Sequence, residues 1–234
     1  MLYIFGNTVQ TLKEISKRKD VDQMRQHGTR LNPTARFLIF FIFSFLFILM
    51  LDSFSTFAAQ CADIRENVLR LHILANSDSV EDQELKLRVR DRILQETDSL
   101  FYLSDSLEAA EEKARESLPR IEEIARDELL KWGCHDEVHA ELTHMFFDTR
   151  VYEDFTMPAG YYDAVRVTIG EAKGHNWWCV LYPALCVPAA AEDGEAALAR
   201  TLTEGEREIV ESKPEDEVRF YAVELFERVK DFFK

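Results

Sequence analysis

Val68-Leu69-Arg70-Leu71-His72-Ile73-Leu74-Ala75, followed by Asn76-Ser77-Asp78-Ser79, is the stretch on which the fold turns. In an extended chain Leu69, Leu71, Ile73 and Ala75 share one side, and Val68, Arg70, His72 and Leu74 the other. That period of two predicts a half-buried strand with its all-apolar side toward the core. The short polar residues after it end the strand. Ser79 with Asp82 three positions later has the pattern of a capping box. It opens a predicted helix through Leu94, with Leu85, Val89 and Ile93 on the buried side.

Downstream, Ser106 to Trp132 carries an apolar stripe at helical spacing through Leu107, Ala110, Ala114, Ile121, Ala125 and Leu129, stopped by Gly133. Pro119 inside it predicts a kink, or two helices with Pro119 in the first turn of the second. Val138–Phe147 and Tyr161–Ile169 read as strands, with Ala164-Val165 breaking strict alternation and Gly160, Gly170 and Gly174 marking turns. Asn176 to Pro188 is a compact aromatic and cysteine segment. Ala189 to Pro214 is Ala/Glu-rich and expected to be mobile at least in part, and Val218–Phe233 has the spacing of an amphipathic helix. The expected class is α+β: a small, mostly antiparallel sheet packed with two to four helices, preceded by an N-terminal signal or transmembrane helix.

Charge divides the chain. The whole has 234 residues with 28 Lys and Arg against 43 Asp and Glu, a net charge of −15. Residues 1–36 carry seven basic and three acidic groups; from Cys61 onward there are 21 basic and 39 acidic groups, a net −18. So acidic a segment lacks the basic stripe that binding to a nucleic-acid backbone needs. Between the two lies Phe37–Leu51, FLIFFIFSFLFILML, without a charge. A basic flank before an apolar run is the pattern of a secretory signal or signal anchor, and it orients residues 1–36 to the cytoplasm. As a helix the run would span roughly 22 Å, short of the ~30 Å hydrocarbon core unless Ser53–Gln60 extends it. Thr56 and Ala58 stand at the −3 and −1 positions of a candidate cleavage before Ala59. Gln60 lacks the small side chain that lipidation of Cys61 would need. Met24 offers an alternative start, with residues 1–23 then absent from the native chain. The expected organisation is a basic lead (1–36), a signal or anchor (37–58), an exported α+β domain (59–188), and a tail with a C-terminal helix (189–234).

Cys179 and Cys186 stand in Asn176-Trp177-Trp178-Cys179-Val180-Leu181-Tyr182-Pro183-Ala184-Leu185-Cys186. Outside the membrane they can form a disulfide across a short loop, or remain two free buried thiols. Cys134, His135, His139 and His144 lack the spacing of a zinc site, so no metal is expected. His72 could serve as a general base, yet no Ser or Cys nucleophile is placed near it. No catalytic set and no cofactor follow from the residues.

Two blocks carry a resemblance. RLHILANSDSVEDQELKLRVRD (70–91) and GYYDAVRVTIGEAKGHNWWCVLYPALC (160–186) closely resemble the signatures of the stage II sporulation protein R family of endospore-forming bacteria. The resemblance spans roughly residues 60–188. It implies a protein made in the forespore and exported to the space between the two sporulation membranes. There it would switch on a membrane-embedded aspartic protease that processes the pro-form of sigma factor E, acting as a signal and not as an enzyme. Such a signal needs a partner-binding face. The polar residues His72, Asn76, Ser77, Asp78, Asp82, Lys86 and Arg90, with Asn176 and the aromatic anchors Trp177 and Trp178, are the candidates; core packing is the alternative for the tryptophans. Two rival readings stand beside it: an exported hydrolase of cell wall or peptide using His72 and Asp78, and a signal-anchored structural protein of the septum.

Overall fold

The computed structural model describes residues 32–102, 104–152, 155–183, 185, 194–211 and 217–233. Along them run α1 (Pro33–Glu66), β1 (Leu69–Leu74), α2 (Val80–Tyr102), α3 (Leu107–Lys131), β2 (Val138–Phe147), β3 (Arg150–Val151), β4 (Thr156–Met157), β5 (Gly160–Ile169), β6 (Asn176–Tyr182), α4 (Gly194–Thr201), α5 (Glu204–Val210) and α6 (Glu217–Phe232). The chain divides into two compact units between Ser53 and Phe54. In the first, the N-terminal part of α1 holds the Phe37–Leu51 run with every large apolar side chain exposed. α1 has 34 residues and is long and apolar enough to cross a membrane. Helix continuing past Leu51 removes the shortfall in length noted for the apolar run alone.

In the second unit a four-stranded sheet has the order β2-β5-β1-β6. β1 runs parallel to β5, while β1–β6 and β2–β5 are antiparallel. The sheet is therefore mixed, with an antiparallel majority of pairings. β3 and β4 form a separate two-stranded ribbon.

On one face, Leu69, Leu71 and Ile73 of β1 and Val165, Val167 and Ile169 of β5 pack under Leu85, Val89 and Ile93 of α2 and Ile121, Ala125 and Leu129 of α3. This is the core that period-two and period-3.6 patterns predict. α3 opens on Ser106, whose side chain accepts from Ala109 N. It closes where Gly133 N donates to Leu130 O and Cys134 N to Leu129 O, a Schellman closure with Gly133 at φ 74°. Pro119 lies inside this single helix and does not divide it.

The other face corrects the half-buried reading of β1. A second core lies there: Phe57, Cys61 and Ile64 of α1 meet Phe147, Tyr162, Ala164 and Val180 of the sheet. Leu198, Leu202, Ile209, Val210, Phe220 and Val223 of the C-terminal helices complete it. β1, an interior strand covered on both sides, buries Arg70 (0% exposed) and His72 (3%) as well as its leucines. The same covering buries Ala164 and Val165 together and explains the broken alternation of β5. Within 189–214, described as an Ala/Glu-rich mobile segment from composition, residues 194–211 form α4 and α5. α5 opens on a complete capping box between Thr203 and Glu206.

Candidate functional site

The turn after β1 is tied to the turn between β5 and β6. Asn76 Oδ1 accepts from Glu171 N at 2.9 Å, across 95 residues of chain. Asn76 Nδ2 donates to Asp82 Oδ2 at 3.1 Å, and Ser77 Oγ donates to the same carboxylate oxygen. Ser79 Oγ accepts from Asp82 N as the cap requires, but the Asp82 carboxylate is spent on Asn76 and Ser77, so the reciprocal half of the expected box is replaced by a turn clamp. Lys173 N and Gly174 N donate to Asn76 O and Ala75 O. Gln83 Nε2 donates to Ser77 O, and Lys86 Nζ to Gln83 Oε1 and His175 O at 2.6 and 2.8 Å. Burial pushes the Lys86 ammonium below its ordinary range, and the hydrogen bond from Ser77 lowers the Asp82 carboxyl.

Two glycines make this approach possible. A Cβ on Gly170, at φ +57°, would fall 2.3 Å from Asn76 Oδ1, and one on Gly174 would fall 2.2 Å from Ser77 O. Gly170 makes room for the Asn76 side chain at a left-handed φ, and Gly174 for the Ser77 backbone.

Asp78 and His175 form the exposed rim. Asp78 Oδ1 accepts from His175 N at 2.6 Å and faces His175 Nδ1, which holds the Asp78 carboxyl below its usual range. Arg90 pairs with Asp91 and lays its guanidinium 4.2 Å from the centroid of Trp177. Trp177 and Trp178, neighbours on β6, point to opposite faces of the sheet. Trp177 packs on the helix-covered core beside Arg90. Trp178 stacks on His72 at 4.0 Å and 3°, with Phe147 edge-on at 4.8 Å. Asn76, Ser77, Asp78, Asp82 and Lys86 are thus brought together by the clamp, with Trp177 and Arg90 beside it. His72 and Trp178 lie on the far side, and so does the Asn176 side chain, two residues before Trp178 on β6. Cys179 is buried; Cys186 lies outside the described residues.

The far side holds a group that the sequence reading passed over. Arg70 lies with its guanidinium 4.2 Å from the Phe147 centroid and 4.9 Å from that of Tyr162, donating from Nη2 to Tyr152 Oη at 2.8 Å. Among the described residues its Nε and Nη1 have no acceptor. Its place beside His72 in the period-two pattern was visible; the covering of that face was not. The Asn176 side chain favours the charged form of His72, but among the described residues neither ring nitrogen makes a hydrogen bond of acceptable geometry. Burial first, then the charges of Arg166, Arg70 and Arg150, lower the His72 pKa from 6.5 to about 4. Above pH 6.5 both folded and unfolded chains hold it neutral. Between pH 6.5 and about 4 the unfolded chain binds a proton that the folded one refuses, so stability falls on acidification, by up to about 3 kcal/mol. His72→Phe keeps an aromatic ring on Trp178 and should flatten that part of a denaturation-versus-pH curve; an unchanged slope would assign it to another group.

Ring nitrogens of His139, His144 and His175 face the carboxylates of Glu122, Asp163 and Asp78. Asp78 pairs with His175 and not with His72, so the two residues of the hydrolase reading are held by different partners. Among the described residues no three of His, Cys, Asp and Glu converge as a metal site. A cavity of about 450 Å³ lies elsewhere, lined by Arg65, His144, Tyr161, Asp163, Glu227 and Lys230 among others. The candidate cleavage residues Thr56, Ala58 and Ala59 lie inside α1, flanked by Phe57 and Cys61 of the second core.

A junction of two turns thus joins the two signature blocks. The profile of stage II sporulation protein R matches residues 65–192. The chain belongs to the stage II sporulation protein R family. It is 36% identical over 153 residues to the stage II sporulation protein R of Bacillus subtilis (strain 168), covering 65% of this chain and 68% of that one. No solved structure matches the chain. The family's span contains the whole clamp, the Arg70–His72 cluster and both tryptophans; the Phe37–Leu51 run and α4 to α6 lie outside it.

Proposed function

We propose that the chain is an exported signal that activates a membrane-embedded aspartic protease and so triggers processing of the pro-form of sigma factor E. The observation that carries this reading is the clamp: residues of the family-matched span, far apart in the chain, spend their polar groups on one another. They hold Asp78, Trp177 and Arg90 on a preorganised surface. Rigidity matters because a ligand that drives a receptor from 1:99 to 99:1 needs about 5.5 kcal/mol of differential affinity, and preorganisation avoids spending it on ordering. In this reading His72 and Lys86 are supports and not contacts, and Trp178 is held by His72. Cys61 and Cys134 keep free thiols, which leaves Cys179 and Cys186 to pair on the exported side.

The export route is the α1 apolar run, across the cytoplasmic membrane into the space between forespore and mother cell. A cut before Ala59 would detach Phe57 from the second core, and this favours retention of α1 as an anchor over a freely diffusing form.

The test co-produces the chain, the protease and its pro-sigma substrate in a non-sporulating host. Processing should depend on this chain and fall about tenfold or more with Trp177→Ala or Asp78→Ala, more than the change in the unfolding midpoint of Asp78→Ala explains. Processing indifferent to the chain sinks the signal reading. The recovered chain should keep its α1 peptide and show a Cys179–Cys186 link on non-reducing peptide mapping; a mature end at Ala59 would favour the secreted form.

A further inference from the structure

The second face of the sheet is covered only in part. Strand register sets Glu141 (β2), Arg166 (β5), His72 (β1) and Trp178 (β6) in one row across it. The next row on the same face holds Ala164, Arg70 and Val180, all buried. In the other direction the face runs out to exposed Asn176. Arg150 of β3 comes over the Trp178 ring, its guanidinium 5.1 Å from the centroid. Arg166 opens the row to solvent, with its side chain 37% exposed. Three guanidinium groups thus stand about His72, and all three oppose its protonation.

In a segment of net charge −18 these cations are poorly matched. Arg166 reaches Glu141 at 3.4 Å, a long contact between half-exposed side chains. Among the described residues no carboxylate pairs with Arg70 or Arg150. Of nine buried side-chain polar atoms without a hydrogen bond among those residues, six belong to Arg70, His72, Arg150 and Arg166. An aromatic face attracts a guanidinium but accepts none of the N–H groups in its plane. What the row lacks is therefore an oxyanion. Spacing selects the kind. Arg166 and Trp178, under Arg150, stand two strand widths apart, roughly 10 Å. Two carboxylates at alternate positions of an extended segment, ~7 Å apart, match that spread better than a single phosphate. The row is a strip and not an enclosed cavity, so a small free anion would stay largely hydrated on it.

We propose that this row binds an acidic peptide segment of a protein partner, with one carboxylate on Arg166 and a second on Arg150. Arg70, buried behind His72, adds a supporting charge without touching the segment. The surface lies across the sheet from Asp78, Trp177 and Arg90. Its test uses neither the protease nor the pro-sigma substrate, so the signal reading and the acidic-peptide site can each fail alone.

The full chain in non-ionic micelles is treated with phenylglyoxal, which modifies guanidinium groups, and labelled peptides are read by mass spectrometry. A tetra-aspartate peptide should lower labelling of Arg150 and Arg166 about fivefold or more, and a tetra-asparagine peptide should not. Arg115, 54% exposed on α3, is the reference and should be unaffected. Binding of the dye-labelled tetra-aspartate peptide should weaken about tenfold in Arg150→Gln/Arg166→Gln, and less in Arg166→Lys, which keeps the charge. The protection measurement needs no variant, so it decides the matter even if the double variant fails to fold. Labelling unchanged by the peptide overturns the proposal. So does equal protection by inorganic phosphate, which would mark a free-oxyanion site, or protection by phosphatidylglycerol vesicles alone, which would mark a lipid surface. By sequence the chain's own Glu153 and Asp154 are rival carboxylates. A rise in Arg150 labelling in Glu153→Gln/Asp154→Asn that matches the fall produced by the peptide would make them the occupant, and would overturn it too.

Discussion

Gly174→Ala should cost about 2–3 kcal/mol of stability, read as a drop in the denaturation midpoint of the full chain in detergent micelles. The added methyl would sit 2.2 Å from Ser77 O and 2.5 Å from Ser77 C, both backbone atoms. Relief by a shift of the loop is blocked, because Gly174 N is bonded to Ala75 O and Lys173 N to Asn76 O. Moving either turn breaks the pairs that join the two signature blocks. Gly133→Ala is the matched control. Gly133 has φ +74° but nothing within 4 Å of a new Cβ, so only the conformational cost of about 1 kcal/mol remains. If the two substitutions proved equal, steric closure of the clamp would not be what the glycine provides. In the co-production assay Gly174→Ala should also lower processing more than its stability loss explains.

Glu227→Ala should cost about 3 kcal/mol or more, because it leaves a buried guanidinium without its carboxylate. Arg65 and Glu227 have side chains 10% exposed each and meet at 3.1 Å. Among the described residues Arg65 would keep only the carbonyl of Ala159, 3.1 Å from Nη1. The room for Arg65 comes from Gly160, where a Cβ would lie 2.4 Å from Arg65 Cδ. Removing both charges, in Arg65→Met/Glu227→Leu, should recover most of the loss, since a packed apolar pair does not carry the desolvation cost. Hydrogen exchange over 217–232 should quicken in the single variant and return in the double one. A double variant as unstable as the single would mean that the ion pair is worth more than its replacement, and that α6 is held by charge and not by packing.

The two experiments probe different kinds of information. Local chemistry was readable: the Ser79 cap, the Gly133 stop, the α2 and α3 stripes and β2 end to end all follow from spacing and side-chain type. β6 was not, because Asn176–Tyr182 mixes indoles with a cysteine, and its two faces meet different cores. The partner residues were named as one set, yet adjacent side chains on a strand point to opposite faces, which separates Trp178 from Trp177. Arg65 and Glu227 could not be paired from sequence at a separation of 162 residues, since neither belongs to a recurring pattern.

Sequence by itself determined the N-terminal apolar helix, the α+β class, the α3 helix and the family, because periodicity and long signature blocks are written within a few turns or strands. Tertiary structure decided that β1 is an interior strand. Coverage of its second face comes from residues 54–66 and 194–233, which carry no local mark of where they will pack. That covering turns Arg70 and His72 from surface residues into buried ones, lowers the His72 pKa, and leaves the motif's turn residues to one another. Burial is a sum over distant segments, and so is the pairing of polar groups that burial forces.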